Sequence, residues 1–283
     1  MSLSVVVPGS SANLGPGFDV LGLAVDRSVR MGLGERNEPL SSRHPAVAAF
    51  GDVGGVGPVW LESDIASGRG LGFSGASIVA GVVLGLAQRE GIPSHDLDRF
   101  ISAESTRILD IATRIEGHPD NVGASLHGGV VAVSAGRVVA LTVGFDAALV
   151  AWIPRDTTST ARSRAVLPAE FGRDDVVFNL GRLALLIDGL RTGDAESLRL
   201  GVEDRLHQDR RLEAAPASRR ALEALTSLAT KAVWLSGSGP TVMALCDAGS
   251  AVAVREAATA LLDPAEGRLE VMSIDRRGAR QAT

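Results

Sequence analysis

The segment Gly68-Arg69-Gly70-Leu71-Gly72-Phe73-Ser74-Gly75-Ala76-Ser77 sets glycine at alternate positions, then small residues, then a long apolar stretch. Small residues let backbone approach a ligand closely. The first N–H groups of a following helix are unpaired and carry partial positive charge, so phosphate is their natural ligand. The same composition also serves a tight helix start packed through glycine, and a lone glycine-rich loop does not separate the two. A second cluster, Glu116-Gly117-His118-Pro119-Asp120-Asn121-Val122, gathers two carboxylates, an imidazole and an amide ahead of Gly128-Gly129. Carboxylate oxygens suit magnesium, which takes one or two of them together with substrate phosphates. Taken alone, the cluster reads first as a polar loop whose Asp120 or Asn121 caps a helix. A third, Ser236-Gly237-Ser238-Gly239-Pro240-Thr241, is either a hairpin turn or a place where backbone meets a ligand. His44, His95 and His127 have no supporting neighbours in sequence and read as structural, and Cys246 as a core residue.

These loops need a sizeable scaffold. The 283 residues are 45% hydrophobic and 22% charged, so a large core can form, and at about 150 residues per domain the length suggests two units. A formal charge of -5 without a basic run argues against nucleic acid or an anionic membrane as the main partner. One cysteine rules out an intrachain disulfide and a cysteine-based zinc site. Lys231, the single lysine, stands outside any Walker-type or protein-kinase setting, so a phosphate site must work without a loop lysine. The start has no secretory-signal pattern, and the apolar window 78–87 is shorter than a membrane span. A cytoplasmic protein is expected.

Periodicity gives the elements. In the first half, strands are expected at 4–7 and 20–25, a polar excursion at 30–43, and a short strand at 60–64. A buried helix at 74–89, one helix at 97–114, and a hairpin of 130–133 with 138–143 follow. In the second half, strands are expected at 148–153, 232–235, 241–246 and 269–274, and helices at 176–190, 195–206, 219–228 and 251–262. Without the extra helices this is β-α-β-β-α-β, the split ferredoxin-like pattern. The boundary falls near Gly144-Phe145-Asp146, giving units 1–145 and 146–283.

Taken in order, Pro8-Gly9-Ser10-Ser11-Ala12-Asn13-Leu14-Gly15-Pro16-Gly17-Phe18-Asp19, the 70–77 loop and Leu235-Ser236-Gly237-Ser238-Gly239-Pro240-Thr241 resemble the three motifs of the GHMP small-molecule kinases. Residues 11–19, Glu116–Val122 and the segment Asp204-Arg205-Leu206-His207-Gln208 with Arg211 resemble the homoserine kinase branch. The resemblance runs from about residue 5 to 246, and to the carboxyl end at the level of fold. It implies an α+β chain with an S5-like amino-terminal domain and a ferredoxin-like carboxyl-terminal domain. It implies ATP-dependent phosphorylation of the L-homoserine side-chain hydroxyl on the route to threonine, with Mg²⁺, and suggests a homodimer. By the same resemblance Ala66, Ser67, Gly68, Arg69, Gly70, Leu71, Gly72, Phe73, Ser74, Gly75, Ala76 and Ser77 wrap the ATP phosphates. Ser77 and Glu116 hold the metal, with Asp110 as the alternative carboxylate. Asn13, Asp19, His118, Asn121 and Thr160 line the substrate pocket, and Arg164 and Arg211 clamp the substrate carboxylate, a task that suits the guanidinium fork. Catalysis is expected from positioning and charge, carried by Asn13, Asp19, Glu116, Arg164 and Arg211 without a strong base.

The chain departs from the pattern at Phe73, where serine is usual, at Gly75, and at Asp209-Arg210 before Arg211. The interval from Asp19 to Gly70 is short. Two other readings follow: a GHMP kinase for another small alcohol, and a catalytically silent relative that binds a small molecule.

Overall fold

In the computed structural model, residues 3–36 and 39–282 are described. Ser4–Ala12 forms β1 and Leu21–Leu33 forms β2. A strand ending near residue 25 is thereby corrected: Val29 and Met31 are fully buried, and the alternation through Arg30 carries the strand on to Leu33. Asn37 and Glu38, within the expected excursion, lie outside the described residues. A helix not foreseen, α1 (Pro45–Asp52), precedes β3 (Val59–Ser63). His44 caps α1 by accepting from the Ala46 N–H at 3.2 Å, with proline in its first turn.

The helix expected from 74 to 89 is α2 (Phe73–Arg89), and every residue from Gly75 to Ala87 is buried. A helix apolar all round belongs inside a core. The single helix expected at 97–114 is instead α3 (Leu97–Ala103) and α4 (Ser105–Glu116), broken at Glu104. The helix that Asp120 or Asn121 is expected to cap is α5 (Asp120–His127), which leads into the hairpin of β4 (Val130–Ser134) and β5 (Arg137–Leu141). β1 and β2 pair antiparallel, with a register shift between Pro8 and Ser10, and β2 then pairs β3 at one end and β4 at the other.

Beyond Gly144 come β6 (Ala147–Pro154), α6 (Thr160–Ala165), α7 (Arg173–Thr192), α8 (Ala195–Gly201), α9 (Gln208–Glu213) and α10 (Pro216–Thr226). Then follow β7 (Ala232–Leu235), β8 (Val242–Asp247), α11 (Ala251–Thr259), β9 (Gly267–Ser273) and β10 (Arg280–Gln281). The second sheet has the order β7-β8-β6-β9, all antiparallel, which is the ferredoxin-like arrangement. Strand period two joins the halves. Leu149, Ala151 and Ile153 of β6 face the core shared with the first sheet, while Ala148, Val150 and Trp152 face a second core under α10 and α11. β10 returns to the first sheet and pairs with β1, so the carboxyl tail leaves the second unit. Helix α8 stops at Gly201, not near 206, and the freed residues form a turn capped by Asp204. Among the described residues no helix is long and apolar enough to cross a membrane.

Candidate active site

The register shift in β1 brings its end against the glycine-rich loop. The Ser10 N–H donates to the Leu71 carbonyl at 3.1 Å. From the third motif the Ser236 hydroxyl donates to the Gly70 carbonyl at 2.6 Å, and the Thr241 N–H to the Arg69 carbonyl at 3.3 Å. Gly70 and Gly72 are left-handed, at φ +75° and +72°. A Cβ at Gly70 would come within 2.8 Å of the Gly239 carbonyl oxygen, and one at Gly72 within 2.7 Å of the Ser10 nitrogen. Only glycine fits either place without strain. The first backbone bond of α2 runs from the Ala76 N–H to the Gly72 carbonyl, so the N–H groups of Phe73, Ser74 and Gly75 have no intrahelical acceptor. No side chain caps this end.

Two loop residues point elsewhere than the resemblance implies. The Arg69 guanidinium is committed to three carbonyls, those of Pro154 and Arg155 at 2.8 Å and Ser67 at 3.1 Å, and so straps the loop to β6. Phe73 turns its half-buried ring edge-on to His44 at 5.8 Å, at the start of α1. Ser77 and Glu116 are the pair expected at the metal. Ser77 is fully buried one turn inside α2, and its hydroxyl has no partner among the described residues. Ser74 instead donates to the Glu116 carboxylate at 2.7 Å. Burial raises the pKa of Glu116 against that hydrogen bond. Asp110 is corrected as the alternative: it is exposed on α4 beside Gly136 and His127, away from the Ser74–Glu116 pair.

Beside this pair lies a cluster of charges. Glu116 ends α4, Gly117 turns the chain at φ +92°, and His118 then meets Asp120, the first residue of α5. His118 Nδ1 lies 2.7 Å from an Asp120 oxygen that also accepts from the Asn121 N–H. Burial disfavours the protonated imidazole, but the Asp120 hydrogen bond and the charges of Asp120, Glu116 and Asp19 outweigh it and raise the His118 pKa. Ligand atoms of Asp19, His118 and Asp120 lie within 4.8 Å of one another. Asn121 turns the other way and accepts from the Ser10 hydroxyl at 2.9 Å.

Asp19 is held by its own loop. Asn13 and Asp19 are both left-handed, at φ +71° and +56°, a conformation that short polar side chains tolerate. The Asn13 amide accepts from the Asp19 N–H at 3.1 Å and donates to the Gly237 carbonyl at 3.1 Å, tying the first motif to the third. The Asp19 carboxylate receives two bonds from Arg164, at 2.6 and 3.0 Å. Arg164 and Arg211 both lie over the Phe18 ring, 5.5 and 5.3 Å from its centre. Arg211 is buried; its desolvation and the nearby Arg164 charge lower its pKa to about 10, which leaves it cationic at neutral pH. Thr160 is not drawn in and stands exposed at the start of α6. The residue reading gives no role to Phe18 or His207, and it reads Asp120 as a carboxylate or helix cap, not as the partner of His118. Phe18 and His207 stand inside quoted motifs, but nothing in a linear sequence says that their rings stack.

A backbone loop with open N–H donors thus stands next to a cleft of paired charges, at the junction of the two sheets. Two family models match: GHMP kinases N terminal domain over residues 44–129 and GHMP kinases C terminal over residues 186–263. A homoserine kinase of Streptomyces coelicolor is 38% identical, covering 98% of this chain and 94% of its own, and one of Desulfitobacterium hafniense is 36% identical, covering 97% and 98%. The solved homoserine kinase of Cytophaga hutchinsonii shares the fold, with a TM-score of 0.79 at 24% identity over 99% of this chain and 96% of that one. The chain belongs to the homoserine kinase family of the GHMP kinases.

Proposed function

We propose that this chain transfers the γ-phosphoryl group of ATP to the side-chain hydroxyl of L-homoserine, giving O-phospho-L-homoserine for threonine synthesis. The observation that carries the reading is the Asp19–Arg164 pair with Arg211 across the Phe18 ring. A carboxylate and two guanidinium groups side by side match the ammonium and carboxylate of a zwitterionic amino acid. Arg211, buried and without an ion pair among the described residues, would be left unmatched by a neutral alcohol, and a buried unpaired charge is costly.

In this reading the phosphates lie on the N–H groups at the start of α2, where the helix dipole and the open donors favour anions. Ser74 and Glu116 offer a hydroxyl and a partly desolvated carboxylate, the oxygen donors that Mg²⁺ prefers, so the residues fit that ion. Held there, it would neutralise charge on the phosphates. The substrate oxygen forms its bond to the γ-phosphorus as the bond to ADP breaks, and the hydroxyl proton departs to solvent. Asp19, engaged by Arg164 and by the substrate ammonium, orients the acceptor and does not serve as a base. His118, fixed by Asp120, adds a donor at the reacting end. Alignment and electrostatics supply most of the acceleration in phosphoryl transfer.

The test is ADP release measured with homoserine, mevalonate, shikimate and threonine as acceptors. Homoserine should support the fastest turnover. Preference for mevalonate or shikimate would assign the site to another alcohol, and no turnover with any acceptor would favour a silent relative.

A further inference from the structure

Arg211 is a cation at 6% exposure with no ion pair among the described residues. Its Nη1 donates to the Gly237 carbonyl at 2.9 Å and lies 3.2 Å from His207 Nδ1, while Nε reaches the Ser163 carbonyl at 3.4 Å. On one side stands the Phe18 ring. On another is a cavity of about 360 Å³, lined by Arg211 itself with Ser163, Ala214 and Leu235. Space of that size lets a guanidinium swing away from the substrate side unless something holds it.

His207 is the neighbour built to hold it. It is 1% exposed, stacked on Phe18 with ring centres 5.2 Å apart, and its backbone is fixed by the Asp204 carboxylate. Its Nε2 lies 2.8 Å from the Gly15 carbonyl oxygen. A carbonyl only accepts, so the proton sits on Nε2 and leaves a lone pair on Nδ1. Arginine only donates, so the Nη1–H···Nδ1 bond has a single possible direction. A doubly protonated ring would set N–H against N–H. Burial, which lowers the His207 pKa, keeps the ring neutral.

We infer that His207 is a positioning residue for Arg211, holding the guanidinium on the Phe18 side where a substrate carboxylate meets it. Nε and Nη1 already serve protein acceptors, so Nη2 is the edge presented to the ligand. His207 is almost fully buried and reaches the ligand side only through Arg211, so its effect should fall on acceptor binding alone. That the carboxylate is homoserine's rests on the function proposed above.

Two substitutions separate this role from plain packing. His207→Gln keeps a donor near the Nε2 position and loses the acceptor at Nδ1, whereas His207→Asn keeps an acceptor near Nδ1. Loss of one hydrogen bond to a charged group should raise the homoserine KM about tenfold in the glutamine variant, with kcat and the ATP KM within about twofold. The asparagine variant should recover to within about threefold of wild type. The inference is overturned if glutamine preserves the homoserine KM while asparagine does not, which would make the Gly15 bond the one that counts. It is equally overturned if both variants shift the ATP KM or kcat as much as the homoserine KM. Should circular dichroism show neither variant folded, the ring ¹⁵N shifts of His207 in the wild-type protein decide: a lone pair on Nδ1 supports the claim, and a proton on Nδ1 sinks it. Wild-type protein run alongside keeps the two readings apart. If it turns over another acceptor of the panel and not homoserine, the homoserine assignment falls and the His207 split is scored with that acceptor.

Discussion

The loop proposed to cradle phosphate and the charge cleft are neighbours, joined through the Ser74–Glu116 hydrogen bond, yet they are made of different material. The cradle is main chain. Carbonyls of residues 69, 70 and 71 are held by Thr241, Ser236 and Ser10, and the groups facing a ligand are N–H donors at the start of α2. The cleft is side chain throughout, with Asp19, Glu116, His118, Arg164 and Arg211 arriving from four separate stretches of sequence. A site of main chain tolerates a change of side chain but not of backbone shape. A site of side chains is lost when one group changes its geometry, even if its charge is kept.

The contrast breaks most visibly at Gly72. Gly72→Val forces a β-branched residue to φ +72° with its Cβ against Ser10, so the loop must leave its place. Turnover should fall by more than about 100-fold, roughly 2.7 kcal/mol or more, in protein that circular dichroism shows to be folded. The clash is with β1, so the damage comes from displacing the loop and not from a side chain standing in the ligand's way. Arg211→Lys keeps the charge and loses the fork that serves Gly237, His207 and a ligand together. Its kcat/KM for homoserine should fall about 10- to 100-fold, or roughly 1.4–2.8 kcal/mol. Asp19→Asn sharpens the side-chain half, because asparagine accepts the left-handed backbone but cannot pair with an ammonium. The expected rise in homoserine KM is about tenfold, with ATP KM unmoved.

The fold was largely legible because its signals are periodic. A fully apolar α2, alternating β6 and the β-α-β-β-α-β rhythm need no knowledge of what packs on them. Short elements escaped: α1 has eight residues and α9 six, too few for a period to declare itself. The strand expected at 20–25 stops ahead of the polar Asp26-Arg27-Ser28, yet Val29 and Met31 resume the buried face beyond them while Arg30 alternates on the other. In the site, composition showed a glycine-rich loop ahead of a buried helix, but not whether it meets a ligand or only packs a tight helix start. Ser74 as the partner of Glu116 could not be read either, because the direction of a hydroxyl at a helix start depends on where α4 ends. The contacts of Arg211 with His207, and of His207 with Gly15, likewise need residues 4 and 192 apart in sequence.

Two smaller effects complete the contrast. The raised His118 pKa means that its pairing stabilises the fold fully below about pH 6.5, the unfolded value, and is lost as pH rises through the higher folded value. The Tm difference between wild type and His118→Gln should therefore shrink from acid to alkaline pH. A difference that grows with pH would contradict the Asp120 pairing. Phe73→Ser should change ATP affinity by less than about tenfold, or ~1.4 kcal/mol, because that ring packs on His44 and leaves the donors of the loop untouched. Calorimetric titration of ATP with Mg²⁺ reads this directly.

The separation of the two regions is tested most directly by titrating both ligands, ATP with Mg²⁺ and homoserine, into Arg211→Lys and Gly72→Val side by side. Opposite losses are expected. Arg211→Lys should keep its ATP Kd within about twofold while homoserine weakens about tenfold or more, and Gly72→Val should lose ATP by a larger factor than homoserine. If Arg211→Lys loses ATP and keeps homoserine, or if both folded variants weaken both ligands equally, the division into a main-chain cradle and a side-chain cleft is wrong.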